Sequence, residues 1–173
     1  AQVSASTRSK GKGGDLTVDA QDIVELLGET EDGRTSSGLF TSANSNSTGD
    51  AGNLTISTNK LLVQDGAQVS ASTRSKGKGG DLTVNAQDVQ LIRGKGGSTG
   101  LYARTYDSGD AGNLTISTNR LLVQDGAVVS ASTRSKGKGG DLTVDAQEIV
   151  ELIGRTENGR TSSGLYTSAN SNS

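Results

Sequence analysis

The chain contains no cysteine, histidine, methionine, tryptophan or proline, and only three tyrosines and one phenylalanine among its 173 residues. Without thiol or imidazole groups it has no ligands for Cys or His zinc sites or for haem, and it has no Cys or Ser-His-Asp catalytic machinery. Its net charge of -2 gives no global attraction to nucleic acid. No apolar run reaches the roughly 18 residues of a membrane span, and no signal peptide is visible within the chain. We therefore predict no cofactor, no metal site, no nucleic-acid partner and no membrane insertion.

Hydrophobic residues make up only 30% of the sequence, whereas glycine alone supplies 25 positions. The four aromatic residues cannot anchor a globular core in a chain of this length. Disorder is disfavoured as well, because the net charge is low and the sequence pattern is regular. Any core must therefore consist of small aliphatic side chains in a regular arrangement.

Internal repetition supplies that regularity. The segment AQVSASTRSKGKGGDLTV opens at Ala1 and at Ala67, and it recurs at Ala127 with Val128 in place of glutamine. The repeat units are residues 1–66, 67–126 and, in part, 127–173. We interpret the chain as one repetitive segment, and we expect it to be a window on a longer array.

A shorter period lies inside each unit, where a small residue and glycine precede Asp/Asn-Leu-Thr-Val/Ile. The leucines of this pattern are 38, 28, 32 and 28 residues apart, which indicates a turn of about 28 residues with insertions such as 28–38 and 154–164. Apolar and polar residues alternate in three short segments per turn, as in strands with one buried face. Asp-Gly pairs, as at Asp65 and Gly66, predict tight turns between them. The predicted fold is therefore all-β: a parallel β-helix of about five turns, each of three short strands.

Stacked turns bring equivalent side chains together. Two core columns are predicted in the first strand: Leu16, Leu54, Leu82, Leu114 and Leu142, and Val18, Ile56, Val84, Ile116 and Val144. Two more are predicted in the second strand: Val24, Leu61, Val89, Leu121 and Val150, and Leu26, Val63, Leu91, Val123 and Leu152. The third strand adds Val3, Leu39, Val69, Leu101, Val129 and Leu165, while Phe40, Tyr102 and Tyr166 are expected to face outward.

The phrases GGDLTV, AGNLTIST, LLVQDGAQVSAST, VELIG and SGLYTSA resemble the repeats of large secreted bacterial adhesins of the filamentous-haemagglutinin type. The resemblance spans the whole chain. It implies a right-handed β-helical shaft, export through an outer-membrane partner pore by two-partner secretion, and a location outside the cell or on its surface.

The sequence leaves two main functional hypotheses. In the first, the chain is the shaft of an extracellular fibre or adhesin that mediates adhesion, aggregation or matrix formation, with end-to-end or lateral assembly of copies. In the second, basic loops on every second turn, about 10 Å apart, form a stripe that binds an anionic surface glycan. The residues of that predicted stripe are Arg8, Lys10, Lys12, Arg74, Lys76, Lys78, Arg134, Lys136 and Lys138.

A polysaccharide-active enzyme is a minor alternative, and we predict no catalytic residue. Asp19 and Asp145 occupy equivalent outward positions, but the intervening turns carry no acid there. Further acidic residues lie in the polar insertions: Glu29, Glu31, Asp32 and Glu157. A calcium roll is disfavoured, because the glycine-rich motif returns only once per turn. Its aspartates, Asp15, Asp81 and Asp141, are expected to accept hydrogen bonds from backbone amides at a corner.

Overall fold

The computed structural model describes residues 1–30, 35–44, 48–94 and 97–169. Within these ranges the regular secondary structure consists of strands. In chain order they are β1 (Gln2–Thr7), β2 (Leu16–Asp19), β3 (Ile23–Leu27), β4 (Gly38–Ala43), β5 (Leu54–Gln64), β6 (Gln68–Thr73), β7 (Leu82–Ile92), β8 (Gly100–Tyr102), β9 (Leu114–Gln124), β10 (Val128–Thr133), β11 (Leu142–Ile153) and β12 (Gly164–Ala169).

The strands form two parallel sheets. The first sheet has the order β1-β4-β6-β8-β10-β12, and the second runs β11-β9-β7-β5 and ends on β2 and β3, which both pair with β5. Successive turns of the chain therefore lie directly on one another, about 4.8 Å apart. This is the predicted architecture, a parallel β-solenoid of about five turns.

The register confirms the predicted core columns. Leu54 pairs with Leu16 on one side and with Leu82 on the other, and Leu114 continues the column to Leu142. The three middle leucines are 0–1% exposed, because like side chains cover them above and below. The neighbouring column is stacked in the same way: Val18, Ile56, Val84, Ile116 and Val144.

Three residues predicted to be inward are exposed in the end turns. Val3 is 51% exposed, Val150 43% and Leu152 47%, whereas interior members of the same columns are 0–4% exposed. The difference follows from position, because a column member is fully covered only when turns lie on both sides of it. The columns are thus correct in register but open at both ends of the described structure.

The prediction of three strands per turn holds only for the first turn, which contains β2, β3 and β4. In the later turns the first two predicted strands are one continuous strand, as in β5 and β7. The pairing between these two strands passes over a short interruption, from Thr58 with Ala86 to Lys60 with Asp88, and then continues in register. The backbone therefore stays extended where the sequence suggested a break.

The predicted Asp-Gly turns are confirmed. Asp65 and Gly66 both have positive φ, 55° and 89°, and the Ala67 amide donates to the Gln64 carbonyl at 3.1 Å. Two positive φ values in the central positions define a type I′ turn, which favours this residue pair. The turn carries the chain from the second sheet to the first without extra residues.

Candidate functional site

The outward face of the first sheet carries side chains in columns set by the strand register. One column alternates serine with an aromatic residue: Ser4, Phe40, Ser70, Tyr102, Ser130 and Tyr166. The adjacent column consists mainly of serine, and Ser70 and Ser72 of neighbouring columns share a hydrogen bond of 2.7 Å. This face therefore carries regularly spaced serine hydroxyl groups, with an aromatic ring at every second turn.

Arginines form a third column at the edge of the same face. Backbone hydrogen bonds stack Arg8, Asn44, Arg74, Tyr106 and Arg134 in that order, one per turn. Arginine thus recurs on every second turn, about 10 Å apart. The Tyr106 ring lies between two guanidinium groups, with its centroid 5.8 Å from Arg74 Cζ and 5.1 Å from Arg134 Cζ.

Arg104 adds a fourth guanidinium to this face. Its Cζ atom lies 4.2 Å from the centroid of the Tyr102 ring, in cation-π geometry. Tyr102 is in the predicted outward position but is only 4% exposed, and its hydroxyl donates to the Thr99 carbonyl at 3.1 Å. Burial raises the pKa of Tyr102 to about 12, and the nearby Arg104 and Arg93 charges oppose that rise.

The raised pKa of Tyr102 predicts that the protein loses stability at high pH. Its pKa is about 12 when folded against 10.0 when exposed, so its contribution is fully present below pH 10 and is lost between pH 10 and pH 12. Two pH units correspond to about 2 to 3 kcal/mol of unfolding free energy. We expect denaturant unfolding of Tyr102→Phe to show a shallower decline over this interval than the unmodified protein. Equal declines would contradict the assignment.

The arginines, serines and rings line one open groove of about 620 Å³. Four of the described lining residues are arginines, and none is acidic. Further polar groups come from the amides of Gln2, Gln68 and Asn44. The groove therefore combines uncompensated positive charge with many hydrogen-bonding groups.

The predicted basic stripe is divided in the structure. Arg8, Arg74 and Arg134 line the groove, whereas the lysines that end the same loops lie at a different corner of the solenoid. These lysines, Lys12, Lys78 and Lys138, share that corner with four aspartates: Asp50, Asp81, Asp110 and Asp141. The middle lysines of the same loops line neither surface and are exposed: Lys10, Lys76 and Lys136. The lysine corner thus has four carboxylates against three ammonium groups, whereas the arginine groove has no acidic residue among its described lining.

Arg104 and Tyr106 were missed by sequence reasoning. Both lie where the third turn departs from the repeat, reading Ala103-Arg104-Thr105-Tyr106 where the first reads Thr41-Ser42-Ala43-Asn44. A charged or aromatic residue that interrupts a column of small polar residues was the available signal.

Aspartate and asparagine form a ladder at the lysine corner. Asp15 Oδ1 accepts the Asn53 amide at 2.7 Å, and Asp81 Oδ1 accepts the Asn113 amide at 2.8 Å. The bond from Asn53 and the Lys12 ammonium, 3.3 Å from Asp15 Oδ1, lower the pKa of Asp15. The expected corner role is confirmed for these two aspartates.

From this ladder we expect position 81 to tolerate asparagine better than alanine. Asparagine fills the same column at Asn53 and Asn113 and also accepts an amide, so Asp81→Asn should unfold like the unmodified protein in urea. Asp81→Ala leaves the Asn113 amide without its acceptor and should cost about 1 kcal/mol. Equal stability of the two variants would show that this hydrogen bond contributes nothing.

The acids considered for catalysis are not brought together. Asp19 and Asp145 occupy one column but are separated by four turns, roughly 19 Å, which exceeds the 5–10 Å span of a glycosidase carboxylate pair. Glu29 Oε1 accepts the Gly97 amide at 2.7 Å, and Glu157 is exposed. Glu31 and Asp32 lie outside the described residues.

No protein-family model, curated protein or solved structure matches the chain. The described ranges contain no helix long and apolar enough to cross a membrane. They also contain no cluster of three or more acidic, cysteine or histidine side chains that could hold a metal ion. The filamentous-haemagglutinin resemblance therefore remains a prediction from the repeat phrases.

Proposed function

We propose that the chain is a shaft segment of an extracellular or cell-surface bacterial fibre or adhesin. Its role in this proposal is mechanical: stacked turns give length and stiffness, and repetition presents the same surface many times. Export through an outer-membrane partner pore belongs to the same proposal and rests on the resemblance of the repeats.

The continuity of the core columns carries this proposal. Interior members such as Leu54 and Val69 are completely buried, while Val3 and Leu152 of equivalent columns are about half exposed in the end turns. A turn of this kind therefore buries its apolar side chains only when turns of the same kind lie on both sides of it. Such a cross-section is suited to extension along one axis.

Surface labelling tests the proposal. Antibodies raised against the chain should decorate fibres on intact, unpermeabilised cells that produce it, and deletion of its coding region should shorten those fibres or reduce cell aggregation. An antibody against a cytosolic protein is the control for cell integrity. Labelling that requires permeabilisation, or a deletion that changes neither fibres nor aggregation, would overturn the proposal.

Electron microscopy and fibre diffraction test the shaft geometry separately. Purified chain should form rods of constant width, and aligned rods should give a meridional reflection near 4.8 Å. End-to-end stacking would appear as rods much longer than the roughly 25 Å of five turns. Globular particles without that reflection would contradict the shaft geometry.

A further inference from the structure

We propose that the arginine groove on the first sheet binds a linear anionic polysaccharide along the solenoid axis. The recognised chemistry is a repeated carboxylate or sulfate on a hydroxyl-rich chain. This inference is independent of the shaft proposal, since it concerns what one face of the rod holds.

The charge of the groove supports an anionic ligand. The ion pairs among the described residues join Lys12 with Asp15 and Lys60 with Asp88, so the groove arginines have no carboxylate partner there. Arginine that stacks on a ring keeps its guanidinium edge free, and that planar edge fits carboxylate and sulfate in a bidentate manner. Arg74, Arg104 and Arg134 all stack in this way.

The spacing of the groove favours a linear polymer over a single small anion. Arg8, Arg74 and Arg134 follow the axis at intervals of two turns, about 10 Å each, and Arg104 comes from the turn between the last two. A polymer with regularly repeated anionic groups can meet several arginines at once. Once one anionic group has bound, its neighbours on the polymer are held at high effective concentration beside the other arginines. Contacts that are weak individually therefore give a higher overall affinity.

The neutral lining favours a polysaccharide over nucleic acid. The side-chain nitrogens of Gln2 and Gln68 each donate one hydrogen bond to a backbone carbonyl, and several groove serines pair with one another. Each amide and hydroxyl group has further hydrogen-bonding capacity that suits sugar hydroxyls. Single-stranded nucleic acid needs free aromatic faces for its bases. Here Tyr102 is 4% exposed and lies beneath Arg104, while Tyr106 is 39% exposed but has a guanidinium group near each side of its ring. The half-buried Phe40 is the remaining ring among the described lining residues, so the groove offers no row of free faces for successive bases.

Binding to modified dextrans tests the proposal with a constant sugar backbone. The intact chain should bind carboxymethyl dextran, dextran sulfate or both, with an affinity that falls as salt rises, and should not bind unmodified dextran. The two anionic probes distinguish carboxylate from sulfate. The double variant Arg74→Gln with Arg134→Gln should bind at least about tenfold more weakly.

The same loops supply a matched control. Lys76→Gln with Lys136→Gln removes the same charge from exposed residues that do not line the groove, and it should change affinity by less than about threefold. Arg8→Gln is a second test variant, because the cation-π pairs among the described residues involve the other three groove arginines, so its removal leaves the tyrosine stacking intact. Circular dichroism and thermal midpoints should match the unmodified protein in all three.

Three results would overturn the proposal. The first is equal binding of modified and unmodified dextran, or no binding to either anionic form. The second is an equal loss of affinity in the lysine variant, which would place the ligand on the wider basic surface. The third is displacement of the dextran by oligothymidylate at equal anionic-group concentration, which would assign the groove to nucleic acid.

Discussion

Replacing Leu82 by aspartate is expected to abolish the cooperative unfolding of the chain. Leu82 is 1% exposed and lies between Leu54 and Leu114 in the middle of a core column. An unpaired carboxylate in that position has no water and no hydrogen-bond partner, so it must either ionise in an apolar environment or force the turns apart. We expect a loss of at least about 5 kcal/mol, comparable with the whole stability of a typical domain.

The same column provides the control for Leu82→Asp. Leu142 is the equivalent residue of the fifth turn, pairs with Leu114 on one side only and is partly exposed. Leu142→Asp should therefore leave a measurable urea transition, because the new carboxylate can reach water at the end of the rod. If Leu82→Asp melted within about 1 kcal/mol of the unmodified protein, the column would not be the core.

The columns could be predicted from sequence because a solenoid repeats one environment. Every turn places its first leucine against the leucines before and after it, so aligning Leu16, Leu54 and Leu82 gives the register of the first-strand columns. The second-strand columns need their own alignment, because the pairing shifts by one residue between Ala146 and Ile149 in the fifth turn. Strand alternation then decides which residues face inward. Exposure of Val3 and Leu152 follows from stacking and not from the alignment, since it depends on how many neighbouring turns cover a residue.

The groove could be predicted only in part, for a different physical reason. Arg74 and Lys78 are close in sequence and were assigned to one stripe, yet the loop between them turns a corner and separates their side chains. Backbone contacts between turns determine where the chain changes direction at that corner, and the residue types in the loop do not indicate this. Arg104 and Tyr106 completed the groove from a turn that carries no basic loop.

Glycine at this corner is required by the close approach of successive turns. A Cβ atom on Gly112 would lie 2.0 Å from the Gly80 carbonyl oxygen, and one on Gly80 would lie 1.9 Å from the Gly52 carbonyl oxygen. Gly140 and Gly52 meet the same contact, at 1.9 Å and 2.0 Å from the preceding glycine carbonyl. The obstacle is backbone held in the parallel hydrogen-bond network, so it cannot yield as a flexible side chain would. These glycines therefore determine how tightly the turns pack.

Gly112→Ala is accordingly expected to be among the most destabilising of the conservative substitutions. The added methyl must push the third and fourth turns apart at the corner, lengthening the hydrogen bond from the Leu82 amide to the Asn113 carbonyl, which is 2.9 Å. We expect a loss of about 3 kcal/mol or more in urea unfolding.

The matched control for Gly112→Ala is Gly14→Ala in the first turn. Gly14 occupies the same column, but a Cβ atom there would find only the Ala5 side chain, at an ordinary 3.6 Å. Because alanine restricts the unfolded chain more than glycine does, Gly14→Ala should be neutral or slightly stabilising. Similar losses in both variants would mean that glycine is needed for local conformation. A large loss in Gly112→Ala alone would show that the spacing between turns is what excludes a side chain.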